Sequence, residues 1–218
     1  FQLMGARSDI DALSALFDHV VDPHYPDADS PAALLLAVTK AQATLIAKWM
    51  SVGFVHGVMN TDNVSIAGET IDYGPCAFMD GYDAASVFSA IDRQGRYAYQ
   101  NQPRIAVWNL AQFATSLIPL MPDQDAAIEE FTTIINSFPT HYEAEWIAAF
   151  GAKLGLADPS EDDRDLITDL LALMQQDVAD FTNTFANLAG HNAQDQFTDR
   201  DVFGAWSARW QARSSDSG

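Results

Sequence analysis

The sequence predicts a mainly α-helical chain interrupted by one short β-hairpin, and three observations carry that fold class. Apolar residues recur at helical spacing through most of the 218 residues, as in Leu34, Leu35, Val38, Leu45, Ile46 and Trp49. Helix start and stop signals punctuate these runs, among them Ser30-Pro31, Gly53, Gly155 and Ser160. At one place only do two brief strand-like runs, Val64-Ser65-Ile66 and Thr70-Ile71, flank a glycine turn, Ala67-Gly68-Glu69.

Taken in order, Ser8 and Asp11 read as a capping box for a helix carrying Ile10, Leu13, Leu16, Phe17 and Val20. Asp22-Pro23-His24-Tyr25-Pro26 should break it, since proline disfavours helix in the residue before it. A longer core helix starts at Ser30, with Pro31 in its first turn, and stops at Gly53. It delivers the chain into the stretch FVHGVMNTDNVSIAGETIDYGPCAFMDGYD, residues 54–83. Residues 74–101 are rich in Gly, Asp, Tyr and Pro without a sustained period, which predicts a long ordered loop. Helices resume at Pro103 and end near Pro119, then run over 123–138 and from Thr140 to Gly155. Ser160 opens another, with Leu166, Ile167, Leu170, Leu171 and Met174 as its buried stripe. Residues 181–189 and 199–213 read as the last two, ahead of a frayed Ser/Asp/Gly tail.

Composition narrows the function classes. Forty-eight per cent hydrophobic residues, with thirteen Phe and five Trp, suffice for a buried core and exclude a disordered class. A formal net charge of −19 repels phosphate backbones and anionic lipid, so neither nucleic acid nor membrane is an expected partner. Most of that acidity is a solvated face. Cys76 is the only cysteine, so no internal disulfide can form and a reducing, cytoplasmic compartment is expected. There is no apolar run of about 18 residues, and FQLMGARSD has no signal-peptide pattern.

The chemistry concentrates in HGVMNTDN (residues 56–63) and Asp72-Tyr73-Gly74. The hairpin between them is expected to bring Asp62 and Asn63 beside Asp72. Oxygen donors at neighbouring loop ends suit Mg²⁺, which favours carboxylates, amides, waters and phosphate oxygens. Asn63 follows His56 at the offset of the kinase pattern H-R-D-L-x-x-x-N, and Asp72-Tyr73-Gly74 stands where kinases have D-F-G. Val58 occupies the position of the kinase catalytic aspartate, so an ordinary kinase reading loses its base.

HGVMNTDN, IDYGPCAFMDGYD and DRQGRYAYQNQPRIAVWNL (residues 92–110) together resemble the selenoprotein O (YdiU) family, pseudokinase-fold protein adenylyltransferases. The resemblance covers nearly the whole chain. It implies that residues 1–218 form a protein-kinase-like helical C-lobe, with a catalytic loop at 54–74, an activation-segment-like loop at 75–102 and a helical remainder at 103–213. It implies transfer of AMP from ATP to Ser, Thr or Tyr hydroxyls of proteins. Asp62 would be the general base, and Asn63 and Asp72 would hold the Mg²⁺ (Mn²⁺ being the alternative) that bridges the nucleotide phosphates. The family's nucleotide-gripping lobe lies upstream, so the chain is expected to be an excised portion, inactive alone and prone to self-association through its uncovered apolar surface. Phosphoryl transfer of the kinase type and a non-catalytic interaction module are the competing readings.

Each residue also has a structural reading. Asp72 can cap a turn, and Asp62 can bond loop backbone or bind metal through water. His56 is expected to prop the loop and Asn60 to stabilise it. Asp80 and Asp83 read as solvated loop carboxylates, and Cys76 as a buried, inert thiol. Arg93, Arg96 and Arg104 read as ion pairs anchoring the long loop, or as contacts to phosphate or protein substrate. His141 and His191 lack the spacing of a zinc site.

Overall fold

The computed structural model describes residues 1–190 and 192–215. Nine helices among them are α1 (Gln2–Ala6), α2 (Ile10–His24), α3 (Pro31–Ser51), α4 (Gln102–Leu117), α5 (Gln124–Asn136), α6 (Phe138–Lys153), α7 (Arg164–Asp177), α8 (Phe181–Ala186) and α9 (Arg200–Ser215). Two strands, β1 (Phe54–Val55) and β2 (Ala77–Phe78), form one antiparallel sheet with Phe54 opposite Phe78 and Val55 opposite Ala77. The molecule is therefore mainly helical with one small sheet. His191 and residues 216–218 lie outside the described residues, and with them the readings made there; Ser214 and Ser215 belong to α9.

The chain divides into two compact units. The first comprises residues 1–46, 59–72 and 103–142, the second residues 47–58, 73–102 and 143–218. Leu35 of α3, Ala114 and Leu117 of α4 and Phe131 of α5 form the first core, with Ile134 and Ile135 packed against it. Aromatic rings carry the second: Trp146 meets Phe150, Phe150 meets Phe185, Phe185 meets Phe181 and Phe181 meets Tyr82, with centroids 4.9–5.9 Å apart. Lys153 lies over the Phe185 ring at 4.5 Å, and burial lowers its pKa.

The expected hairpin at 64–71 is absent. Residues 64–65 and 69–71 have no regular structure, and the sheet sits further out, at 54–55 and 77–78. The reason is competition for carbonyls. Gln42 of α3 donates to Ser65 O at 2.7 Å and the Tyr25 hydroxyl donates to Ile66 O, so the acceptors a ladder would need are taken by helix side chains. Gly68, at φ +71°, lies so close to α3 that a Cβ there would stand 2.9 Å from the Ala41 Cβ. The bend is thus fastened to helices rather than to itself.

Helix boundaries shift for equally local reasons. Asp9, not Ser8, caps α2, accepting from Ala12 N at 3.1 Å. α2 runs through Pro23 to His24, because a proline in a last turn removes only its own donor. Thr140 lies inside α6, which begins at Phe138. Ser160 opens the helix as expected, through a capping box in which the Asp163 carboxylate accepts from Ser160 N at 2.9 Å, and all five stripe residues of α7 are buried. α9 returns to this helix and to the end of α6: Trp206 Nε1 donates to Leu166 O and Trp210 Nε1 to Leu154 O, both at 2.8 Å.

Candidate functional site

Strand β1 leads into the HGVMNTDN loop, and a side chain guards its free edge. Gln102, wholly buried at the start of α4, donates from Nε2 to Phe54 O at 2.9 Å and accepts from His56 N at 3.0 Å. In an extended strand the carbonyl of one residue and the N–H of the second residue after it face the same way, so one carboxamide can serve both like a short third strand. On the other edge, Met79 N donates to Gly53 O at 2.9 Å. His56 is wholly buried, its imidazole stacked on Trp49 at 5.3 Å and its Nδ1 facing Val58 N at 3.4 Å. That placement suits a prop for the loop. Gly57, at φ +85°, passes within 2.9 Å of Pro75 O as measured from the Cβ it lacks, which leaves room for nothing larger.

A second amide holds the loop's next part. Asn109, on α4 and 5% exposed, donates from Nδ2 to Met59 O at 3.0 Å and to Ile105 O at 3.1 Å. Its Oδ1 is buried and accepts nothing among the described residues. The amide cannot profitably turn over, since that would set its oxygen against two carbonyls. An unpaired buried acceptor costs about 1–3 kcal/mol. Gln102 and Asn109 escaped the sequence reading. The available signal was two amides seven positions apart, and so on one helix face, with Ile105, Ala106 and Leu110 around them.

Asp62 and Asn63 sit together on a 3₁₀ turn, Thr61–Asn63, closed by Asn63 N donating to Asn60 O at 2.9 Å. Asp62 is exposed and Asn63 half-buried. The turn is tied to α1, as the Thr61 hydroxyl donates to Gln2 Oε1 at 2.8 Å. Asp72 stands at the far end of the bend, exposed, with left-handed backbone at φ +54°. Aspartate tolerates that conformation better than most residues, but it is still uncommon and concentrates at functional turns. All three residues belong to the first unit, and the hairpin expected to juxtapose them is not there. Among the described residues no three His, Cys, Asp or Glu side chains gather into a cation cage. Asp62 and Asp72 present exposed carboxylates and Asn63 a half-buried amide, and carboxylate and amide oxygens are ligand types that suit Mg²⁺.

A cavity of about 480 Å³ opens beside Asp62, entirely within the first unit. Val38 and Gln42 of α3, Val64 and Ile66 of the bend, and Asn109, Leu110 and Phe113 of α4 line it, whereas Asn63 and Asp72 do not.

Other expectations divide. The bend at 92–97 is anchored by the Asp92 carboxylate, which accepts from Arg96 N at 2.9 Å and Tyr97 N at 2.7 Å. Among the described residues, no carboxylate lies within ion-pairing distance of Arg93 or Arg104, both exposed, so the expected ion pairs are not seen at those positions. Backbone acceptance by an aspartate needs no cation. Arg96 lies 5.6 Å from the Tyr97 ring centroid. Asp83 caps the turn after it and accepts from Gln175 Nε2 at 3.1 Å. Cys76 is half-buried rather than buried, with its thiol against Tyr73 O.

Comparison with known proteins adds the following. Residues 1–214 match the family described as protein adenylyltransferase SelO. A protein nucleotidyltransferase YdiU of Roseobacter denitrificans is 58% identical over 99% of this chain and 46% of its own length. The YdiU protein of a Jannaschia species is 56% identical over 98% and 45%, and that of Rhizobium johnstonii 48% over 99% and 46%. The chain spans about half the length of the relatives it matches.

Proposed function

Because the chain belongs to the protein adenylyltransferase SelO family, we propose that it is the part of a nucleotidyltransferase that carries the base and the metal ligands, in a kinase-like C-lobe. The reaction is transfer of AMP from ATP to a Ser, Thr or Tyr hydroxyl of a protein. Family membership over residues 1–214, a span that contains Asp62, Asn63 and Asp72, is the observation that carries this reading.

The exposed Asp62 carboxylate accepts the hydroxyl proton as that oxygen bonds to the α-phosphorus. The bond from the α-phosphorus to the bridging oxygen breaks, and pyrophosphate leaves with the electron pair. Asn63 and Asp72 would hold a divalent cation such as Mg²⁺, which would offset the negative charge that develops on the phosphates. The 3₁₀ turn fixes Asp62 and Asn63 side by side, so base and amide ligand keep their mutual orientation. Gln102 and Asn109 act through the backbone they grip, keeping the loop in one conformation.

The test uses a protein of the relatives' full length carrying this sequence. With ATP labelled at the α-phosphate, wild-type protein transfers label to an acceptor protein, and Asp72→Ala or removal of divalent metal abolishes it. Undiminished labelling by Asp72→Ala would sink the reading. Transfer of a γ label in place of the α label would make the enzyme a phosphotransferase, and neither label would favour a binding module.

A further inference from the structure

We propose that the bend at residues 86–99 is a docking surface for an acidic segment of a partner protein, which lays a large apolar side chain on Val87, Phe88 and Ile91 and sets a carboxylate against Arg93. The bend is closed at its foot. Tyr99 N donates to Ser86 O at 3.1 Å and Gln100 N to Ala84 O at 3.0 Å, and the buried Tyr99 hydroxyl donates to Met50 O at 2.6 Å. Further out, the Asp92 carboxylate holds Arg96 N and Tyr97 N, and Asn101 Nδ2 donates to Gly95 O at 2.7 Å. Compact surface loops with joined ends frequently carry function. This one displays Val87, Phe88 and Ile91 to solvent, Ile91 to 82%. Val87 Cγ2 stands 3.6 Å from where a Cβ on Gly95 would be, so its apolar surface abuts the turn that carries Arg93 and Arg96.

Charge selects the occupant. Asp92 is the only Asp or Glu in residues 84–102, and each of its oxygens already accepts a backbone N–H. Arg93 is exposed, and no carboxylate among the described residues lies within ion-pairing distance of it. A purely apolar partner would cover that guanidinium without pairing it, which burial penalises, and a basic one would be repelled. A nucleic acid or an anionic bilayer extends past the loop to the rest of a chain of net charge −19. A short acidic segment stays within about 8 Å of the arginine, the Debye length at physiological salt, and is screened from the remainder. Because its own bonds hold the bend in shape, docking costs it little ordering. The surface lies apart from the base and metal residues proposed above, and binding there requires no AMP transfer.

The experiment uses a protein of the relatives' full length carrying this sequence, without ATP. The probes are fluorescein-labelled Gly/Ser dodecapeptides that carry one Leu or Phe and none, two or four Glu around it. By anisotropy, peptides with both Glu and the apolar residue should bind about 10-fold tighter than those lacking either. Ile91→Ser should weaken that binding about 10-fold. Arg93→Glu should weaken it about 3–10-fold at low salt and turn the preference toward the same peptides with Lys in place of Glu. Both positions are exposed, so an unchanged Tm identifies variants that remain folded. Indifference to Glu, or binding that survives both substitutions, would overturn the docking surface. So would an absence of binding, with self-association that both substitutions abolish in sedimentation assigning the loop to a second copy instead.

Discussion

At the scale of single residues, the loop's conformation depends on two carboxamides that make no claim to chemistry. Replacing Gln102 by Leu keeps the volume but strands Phe54 O and His56 N in the core, and should cost about 2–4 kcal/mol in urea denaturation, one unpaired group adding to the other. Gln102→Glu, which keeps an acceptor but loses the donor, should cost less than Leu only at acidic pH, where its carboxyl is protonated. Asp62→Asn should lower kcat about 10²–10⁴-fold with nucleotide binding unchanged, which single-turnover transfer and calorimetry would measure. Asn63 and Asp72 stand out in the sequence because they repeat a kinase pattern, and Asp62 because the family resemblance implies it. Gln102 and Asn109 did not, because a buried amide in a helix reads like any surface amide until the strand and loop it serves are placed.

At the scale of elements, amphipathic stripes were legible and the small sheet was misplaced. The stripe of α7 needs only its own period, whereas a strand pair of two residues is decided by whatever else can reach its carbonyls, here Gln42 and Tyr25. Where backbone approaches backbone, glycine is required. Gly57→Ala would force a Cβ to 2.9 Å from Pro75 O on a positive-φ backbone, and should cost about 1–3 kcal/mol, read as a lowered Tm. The ion pair between Arg213 of α9 and Asp163 ahead of α7 makes a pH-dependent prediction. Burial alone would raise the Asp163 pKa, but the Arg213 hydrogen bond, the Ser160 N–H and the Arg213 charge together hold it below the usual carboxylate value. A depressed folded-state pKa contributes stability that is present above the unfolded value and lost as pH falls through the folded one. Asp163→Asn should therefore cost about 1–3 kcal/mol at neutral pH, with the difference from wild type vanishing in acid.

At the scale of the whole molecule, the charge of −19 sets self-repulsion against two modest cores. Screening should help. Raising salt from about 20 to about 300 mM, which shortens the Debye length well below the spacing of most surface charges, should lift Tm by about 2–4 °C, the equivalent of about 1 kcal/mol. No helix among the described residues is long and apolar enough to cross a membrane. Large apolar side chains nevertheless face solvent in the second unit, including Ile91 at 82% exposure, Tyr73 at 65% and Phe78 at 64%. Sedimentation across a concentration series should show association that substitution of Phe78 and Ile91 by Ser reduces. Family membership was legible in the loop motifs, while the division into two units was not, since both α3 and α4 cross its boundary without any break in their apolar pattern.

The Gln102 clamp reaches beyond stability. The amide hydrogen of His56 is shut behind a side chain anchored in the first turn of α4, so it can swap with deuterium only when that turn lifts away. Uptake at this one position would therefore time the opening of the strand's guarded edge, and a slowing of it when nucleotide is added would show substrate and helix drawing the loop tight together.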